Sequence, residues 1–323
     1  MSDCSRTTTG IAPLDDPASG QYQGVDRGLY PGATNARPAA HTNLGRYYAN
    51  QVEPLDAGGT PSATGKIGFI GLGASDGHLI FPALMSQIAI DAHVRDELLP
   101  VDCCVDGRNS QNMANPTNPY WVTEIPSLLA AGGLTHAQVQ VAALFSGRQL
   151  QGYPFPTNVD TLEADLITGV QNCLTNFPNL KLLYITCVPY GNYAGPAGEP
   201  HDFEQGFAFA RLIARQINHD PVVECRASPQ TVRVAPYLTW GFYPWTDGLN
   251  PRPSDGLIWR CGVPSVSDVK PDGHHPTAAN GAPKLARGWI DLFWNDITTR
   301  GWFYEAATGT TPTPPSGGGG TLG

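Results

Sequence analysis

The chain has 323 residues, of which 41% are hydrophobic and 15% are charged, a composition typical of globular rather than disordered proteins. Its formal net charge of −9, without any Lys/Arg-rich run, argues against a nucleic-acid partner. No apolar stretch reaches the roughly 18 to 20 residues that a membrane span needs, and residues 1–30 lack an apolar signal core. We therefore expect no membrane span, and either a cytosolic protein or an exported one whose signal peptide is absent from this sequence.

Three stretches of different composition divide the chain. Residues 1–64 are rich in Gly, Pro, Asn and Thr without sustained periodicity, which predicts an irregular arm packed on the rest. Residues 65–307 are predicted to form one domain. Residues 308–323 (TGTTPTPPSGGGGTLG) have the composition of a linker to a further module. Such linkers are frequent in secreted polymer-degrading enzymes, which favours a secreted or periplasmic location.

Short apolar runs alternate with stretches of helical periodicity from residue 66 onward. The predicted strands are 66–72, 101–106, 139–145, 181–187 and 232–238. Predicted helices lie around 159–174, 207–217 and 282–296. This alternation predicts an α/β fold, a three-layer α/β/α sandwich with a mostly parallel, flavodoxin-like sheet. In such folds ligands bind beyond the carboxyl ends of the strands, so the chemistry is expected there.

Seven cysteines allow at most three disulfides, and none forms a CxxC metal motif. Cys173 lies on the apolar face of a predicted helix and Cys187 ends a predicted strand, so both are predicted to be buried thiols. Cys225 and Cys261 lie in loop-like sequence and could pair in an oxidising compartment.

A serine follows the first predicted strand directly. The run GLGASDG (71–77) places Ser75 on a glycine-flanked turn, before an apolar stretch that can form a helix. Such a turn exposes a serine at the sheet edge, and the positive end of the helix favours an oxyanion nearby. Ser75 is therefore a candidate nucleophile, although turns of this composition that have only a structural role are common after strands.

A second motif, DGHHPT (272–277), immediately precedes the last predicted helix. Asp272 and His275 have the spacing that supplies a catalytic base and its orienting carboxylate within one turn. The alternatives are a solvated loop with a chance His pair, or a metal site that uses Asp272, His274 and His275. Adjacent histidines converge poorly on one ion and no well-spaced further ligand is visible, so neither a metal nor a cofactor is predicted.

The order of these two motifs resembles that of the SGNH (GDSL-like) serine hydrolases. Further segments resemble the signatures of a bacterial family of this class. They are 21–24 (QYQG), 28–32 (GLYPG), 37–41 (RPAAH), 240–241 (WG), 245–252 (WTDGLNPR) and 254–259 (SDGLIW). The similarity spans roughly residues 20–303 and is specific because the motifs occur in order along the chain.

The resemblance implies the SGNH hydrolase fold and a serine esterase with a triad of Ser75, His275 and Asp272. It also implies an oxyanion hole built from the backbone N–H groups of Ser75 and Gly107. Without the resemblance, the sequence around Gly107 is equally well explained by a glycine that only forms a turn.

Two positions depart from the family pattern. Family members more often carry Asn where this chain has Asp76. They also present an Asn side chain after the third strand, where this chain has Arg148 followed by Gln149. Either Arg148 or Gln149 donates to the oxyanion instead, or the enzyme is slow, or the site has become a binding pocket.

The predicted function is therefore hydrolysis of a carboxylic ester that is carbohydrate-linked or small and accessible. The alternatives are a catalytically weak or inactive carbohydrate-binding relative of the same fold and a metal-dependent phosphoesterase. Aromatic residues in loop-like segments are predicted to pack these loops, while one or two could form a platform for a sugar or an aromatic acyl group. They are Tyr120, Trp121, Trp240, Phe242, Tyr243, Trp245 and Trp259.

Overall fold

The computed structural model describes residues 1–148, 150, 152–227 and 232–304. Gln149, one of the two predicted substitutes for the family asparagine, lies outside the described residues. The predicted linker, residues 308–323, lies outside them as well.

A five-stranded parallel sheet forms the centre of the molecule. Two very short antiparallel strands, β1 (Gln21–Tyr22) and β2 (Val25–Asp26), precede it in the chain. The sheet strands are β3 (Ile67–Gly73), β4 (Leu98–Cys104), β5 (Val139–Phe145), β6 (Leu182–Thr186) and β7 (Tyr237–Trp240). Their order is β4-β3-β5-β6-β7, and all neighbours are parallel. Because the chain places strands first on one side of β3 and then on the other, a crevice opens at the carboxyl end of β3.

The described residues form seven α-helices. They are α1 (Ala39–Ala49), α2 (Ser75–Ala89), α3 (Ser110–Ala114), α4 (Ile125–Ala131), α5 (Thr157–Asn176), α6 (His201–Ile217) and α7 (Gly281–Asn295). Helices α2 and α7 pack against each other, and α5 packs against α3 and α6. Within this part of the chain, none of the helices is both long and apolar enough to cross a membrane.

The helices lie in two layers, one on each face of the sheet. The ring of Phe69 on β3 contacts Phe81 of α2 and Phe293 of α7. The strand register aligns Phe69 with Tyr237 of β7, so Trp240, three residues further along β7, points to the opposite face. There Trp240 contacts Phe209 of α6. The predicted three-layer α/β/α sandwich is confirmed.

Two strands, β4 and β7, differ from their predicted bounds by more than one residue. Strand β4 begins three residues earlier than predicted and includes Pro100, which the sheet tolerates because β4 is an edge strand. Strand β7 is Tyr237–Trp240 rather than 232–238. Pro236 has no N–H to donate to a ladder, so the apolar residues before it do not continue the strand.

The N-terminal arm is packed on the domain but is not irregular throughout. It contains the 11-residue helix α1, although Gly45 lies in the helix interior. A Cβ at Gly45 would lie 2.6 Å from the ring of Tyr237, and His41 stacks on that same ring. Close packing against β7 therefore stabilises α1, and helix propensity alone could not reveal it.

The cysteines follow the predictions only in part. Cys173 and Cys187 are buried thiols as predicted. The pairing of Cys225 with Cys261 is wrong: Cys261 forms a disulfide with Cys4, and Cys225 is a buried free thiol. The sequence offered no sign of this partner, because Cys4 lies in the arm at a sequence separation of 257 residues.

Replacing both Cys4 and Cys261 with Ser should lower the free energy of unfolding, because the disulfide closes a loop of most of the chain. The chain-entropy model gives a loss of up to about 5 kcal/mol. Urea denaturation of the oxidised parent and of the double variant measures it. The parent with dithiothreitol should match the variant, whose own stability should not respond to the reductant. Equal stability of the oxidised parent and the variant would contradict the expectation.

Candidate active site

The turn between β3 and α2 holds Ser75 at the sheet edge. Gly73 ends the strand with a φ of +127°, and a Cβ there would lie 2.1 Å from the carbonyl oxygen of Phe145. Only glycine fits such a close approach in this conformation. The Ala74 N–H donates to the same carbonyl at 3.1 Å, which ties the turn to β5. Ser75 is consequently the first residue of α2 and is half-buried.

The loop that carries Asp272 and His275 is a compact turn before α7. The Lys270 N–H donates to the His275 carbonyl at 2.8 Å, and the Gly273 N–H donates to the Lys270 carbonyl at 2.9 Å. Within the loop, Asp272 Oδ1 accepts the N–H groups of His274 at 2.9 Å and His275 at 3.0 Å. These bonds hold the carboxylate under the ring of His275.

The structure brings the three predicted triad residues together. Ser75 Oγ is 2.7 Å from His275 Nε2, and His275 Nδ1 is 3.0 Å from Asp272 Oδ2. Partial burial opposes ionisation of Asp272, but hydrogen bonds from the N–H groups of His274 and His275 and from the His275 ring lower its pKa overall. A hydroxyl, an imidazole and an ionised carboxylate therefore form one hydrogen-bonded chain, the arrangement that activates a serine.

Several backbone N–H groups at this edge lack an acceptor among the described residues, and two of them are the predicted oxyanion donors. One belongs to Ser75, at the start of α2, where helix N–H groups are unpaired by geometry. The other belongs to Gly107, which is exposed, with a φ of +78°, in the turn after β4. That turn is tied to the nucleophile turn, because the Val105 N–H donates to the Gly73 carbonyl at 2.9 Å. Both predicted oxyanion donors thus follow strand ends that lie in register.

The guanidinium of Arg148 contacts a carboxylate. Its Nη1 is 2.8 Å from Asp165 Oδ2 on α5, and the same oxygen accepts the Ser110 hydroxyl at 3.0 Å. The Arg148 N–H donates to Gln205 Oε1 at 3.0 Å. The carboxylate partner of Arg148 is therefore Asp165, which the sequence analysis did not identify. The role of Arg148 in an oxyanion hole stays a prediction, and this ion pair weighs against it.

His274 makes contacts that the sequence analysis missed. Its Nδ1 is 3.1 Å from Asp202 Oδ2, and its Nε2 is 3.8 Å from Asp76 Oδ2. Burial alone would lower the pKa of His274, but the Asp202 carboxylate, with smaller contributions from Asp76 and Asp272, raises it to about 10. No sequence signal links position 202 to this loop, since Asp202 lies in the first turn of α6.

The two adjacent histidine rings face different partners, with ring planes 89° apart. His274 faces Asp202, whereas His275 faces Ser75 and Asp272. Among the described residues, no group of three His, Cys, Asp or Glu side chains is arranged to hold a metal ion.

The seven aromatic residues named above are all buried. The packing role predicted for most of them therefore holds for the whole set, and none is exposed as a flat platform for a sugar ring. A cavity of about 550 Å³, lined by Ile90, His93 and Arg287 among others, lies at the far end of α2 from Ser75. It is therefore remote from the candidate triad.

Gly73→Ala should lower the free energy of unfolding by more than about 3 kcal/mol, because the new methyl group would collide with the Phe145 carbonyl. Gly133→Ala is the matched control: its φ is +77°, but a Cβ there has no atom within 4 Å. The control should lower the free energy of unfolding only through backbone strain, by about 1 to 2 kcal/mol. Chemical denaturation compares them, and equal losses would mean that close packing does not fix the turn.

Comparison with known proteins assigns no family. No protein-family model matches the chain, and a search of the curated proteins finds no match.

Proposed function

We propose that this protein is a serine-dependent carboxylic-ester hydrolase of the SGNH type that acts through an acyl-enzyme. The observation that carries the proposal is the continuous chain of hydrogen bonds Ser75 Oγ to His275 Nε2, 2.7 Å, and His275 Nδ1 to Asp272 Oδ2, 3.0 Å. It lies at the carboxyl edge of a parallel sheet, where enzymes of this architecture carry out their chemistry.

In the first half-reaction, His275 Nε2 takes the proton of Ser75 Oγ while the oxygen attacks the ester carbonyl carbon. Asp272 keeps the ring in the tautomer that can accept this proton and stabilises the imidazolium that results. The N–H groups of Ser75 and Gly107 are placed to donate to the oxyanion. As the tetrahedral intermediate collapses, His275 returns the proton to the departing alcohol, and the acyl group stays on Ser75.

In the second half-reaction, His275 takes a proton from water as the water attacks the acyl carbon. The second tetrahedral intermediate uses the same two N–H groups, and collapse returns the proton to Ser75 Oγ. The acid leaves and the triad is restored. Every step uses groups of this chain and water, so no cofactor is required.

Partial exposure of the triad supports an accessible ester as the substrate. The side chains of His275 and Asp272 are 29% and 46% exposed. A small ester or an acyl group on a carbohydrate could approach such a site without entering a deep tunnel.

A catalytically weak or inactive carbohydrate-binding relative is the second candidate. The observation that favours it is the ion pair of Arg148 with Asp165, which occupies the residue expected to replace the family asparagine. Against it stand the intact triad geometry and the burial of every aromatic residue considered for a sugar platform.

An extracellular or periplasmic location forms part of the proposal. It is supported by the disulfide between Cys4 and Cys261, because disulfides persist mainly in oxidising compartments.

Ser75→Ala should lower kcat for short nitrophenyl esters by at least about a thousandfold, because the acyl-enzyme can no longer form. A fluorophosphonate should label the parent at Ser75, as mapped by peptide mass spectrometry, and should not label the variant. Adding His275→Ala to Ser75→Ala should cost little more, since triad members act as a unit.

Ser86→Ala is the matched control for this experiment. Ser86 lies on the same helix, is exposed and donates to the Pro82 carbonyl. The control should keep full activity and labelling. A parent that binds esters without hydrolysis or labelling would favour the binding-protein alternative.

Arg148→Ala tests the oxyanion role directly. We expect kcat to stay within about threefold, because the guanidinium is bound to Asp165 and the backbone N–H groups of Ser75 and Gly107 stay in place. Stability should fall by about 1 to 3 kcal/mol, since Asp165 would be left half-buried without its cation.

Asp165→Asn is the matched partner of that variant. It removes the same ion pair while keeping the guanidinium, so the two variants should behave alike if Arg148 is a structural anchor. If Arg148→Ala instead lost activity by about a hundredfold or more while Asp165→Asn kept it, Arg148 would be an oxyanion donor.

A further inference from the structure

A buried group of charged side chains lies directly behind the candidate triad. Its centre is His274, whose ring lies between Asp202, 3.1 Å away, and Asp76, 3.8 Å away. Asp202 is fully buried and Asp76 is 9% exposed. A buried carboxylate is stable only where a cation or several hydrogen bonds face it, and His274 faces both.

The other titratable groups near His274 come from its own loop and from α6. Asp272 and His275 belong to the loop, and the centroids of the two histidine rings are 5.1 Å apart. On α6, His201 Nε2 lies 3.2 Å from Asp202 Oδ1. His274 is therefore the side chain that joins the loop to α6.

Glu199 completes the surroundings, just before α6. Its Oε1 accepts the Trp245 indole N–H at 2.7 Å and the Gly191 N–H at 3.1 Å. Burial, together with the Asp202 carboxylate, raises the pKa of Glu199 to about 8. Burial thus disfavours the ionised form of Glu199.

The place of His274 in the chain gives these contacts a consequence for the triad. His274 immediately precedes His275, and Asp76 immediately follows Ser75. The side chain of the residue before the proposed base therefore contacts the side chain of the residue after the proposed nucleophile. Its backbone N–H also donates to Asp272 Oδ1 at 2.9 Å, so His274 contacts the third triad member as well.

The geometry points to His274 as a positioning residue: an imidazolium held between Asp202 and Asp76 that fixes the Asp272–His275 loop against the first turn of α2. The hydrogen bond between Ser75 and His275 depends on that placement. The kinetic part of this inference rests on the proposed esterase function, whereas the protonation of His274 and the placement of the two rings do not.

His274→Asn keeps a polar side chain near Asp202 but removes the charge. It should lower kcat by about 10- to 100-fold with KM within about threefold, because a small displacement of His275 disrupts proton transfer without removing substrate contacts. Adding Asp202→Asn should restore part of the loss, because the carboxylate left without its cation is then neutral as well. His219→Asn removes an exposed imidazole elsewhere and should leave kcat unchanged.

Two measurements test the inference without an assay of ester hydrolysis. In protein labelled with ¹⁵N-histidine, NMR should show both ring nitrogens of His274 protonated at pH 7.5, and His275 resonances altered in His274→Asn but not in His219→Asn. Because the pKa of His274 is raised from 6.5 to about 10, its contribution to stability should be full below pH 6.5 and be lost as the pH rises through about 10. That pH dependence should be absent from His274→Asn.

A neutral His274 ring at pH 7.5 would overturn the inference whatever the activity. So would a His274→Asn variant, shown to be folded by near-ultraviolet circular dichroism, with parent kcat and unaltered His275 resonances. If His274→Asn did not fold, Asp202→Asn alone would serve: it should lower the pH at which His274 loses its proton, and an unchanged titration would contradict the inference. A parent that shows the expected NMR pattern but no labelling by fluorophosphonate would refute the esterase function and leave the positioning role standing.

Discussion

The site depends on one backbone contact, the approach of Gly73 to the carbonyl of Phe145. It lets the chain turn sharply out of β3, so that Ser75 begins a helix and keeps its N–H free. The Gly73 carbonyl in turn accepts the Val105 N–H, which fixes the turn that presents Gly107. A single contact between neighbouring parallel strands thus places the candidate nucleophile and both candidate oxyanion donors.

The candidate base lies on a different part of the chain. His275 lies 200 residues from Ser75 and belongs to a loop outside the sheet. Long-range contacts that hold this loop include the ion pair of His274 with Asp202, the packing of Gly273 against the backbone of Tyr193, and the hydrogen bond from the Ser2 N–H to the Pro271 carbonyl. The segments that contain Tyr193 and Ser2 are not positioned by the sheet. The placement of His275 and Asp272 therefore depends on the buried ion pair of His274 with Asp202 and on the N-terminal arm.

Sequence patterns were sufficient where the determining contacts are local. The buried strands and the long helices have hydrophobic patterns that repeat every few residues, and Asp272 and His275 lie within one short motif. All of these were predicted. Helix α1, the Cys4–Cys261 disulfide and the Asp165 partner of Arg148 were not, because each depends on residues that periodicity does not relate. The two adjacent histidines illustrate the difference. The spacing from Asp272 made His275 a candidate base, whereas the role proposed for His274 depends on Asp202, 72 positions earlier in the chain.

The ion pair of Arg148 bears on how strongly this site could stabilise an oxyanion. A guanidinium already bound to a carboxylate has much of its field cancelled at longer range, so a nearby anion gains less from it than from a free cation. If the proposed chemistry holds, the oxyanion depends mainly on two N–H groups and on the positive end of α2. A single lost donor typically costs about a hundred- to a thousandfold in turnover. Arg148 stands where the family that the sequence resembles has asparagine, and it is bound to Asp165 on α5. The complete triad geometry is therefore expected to support only slow turnover.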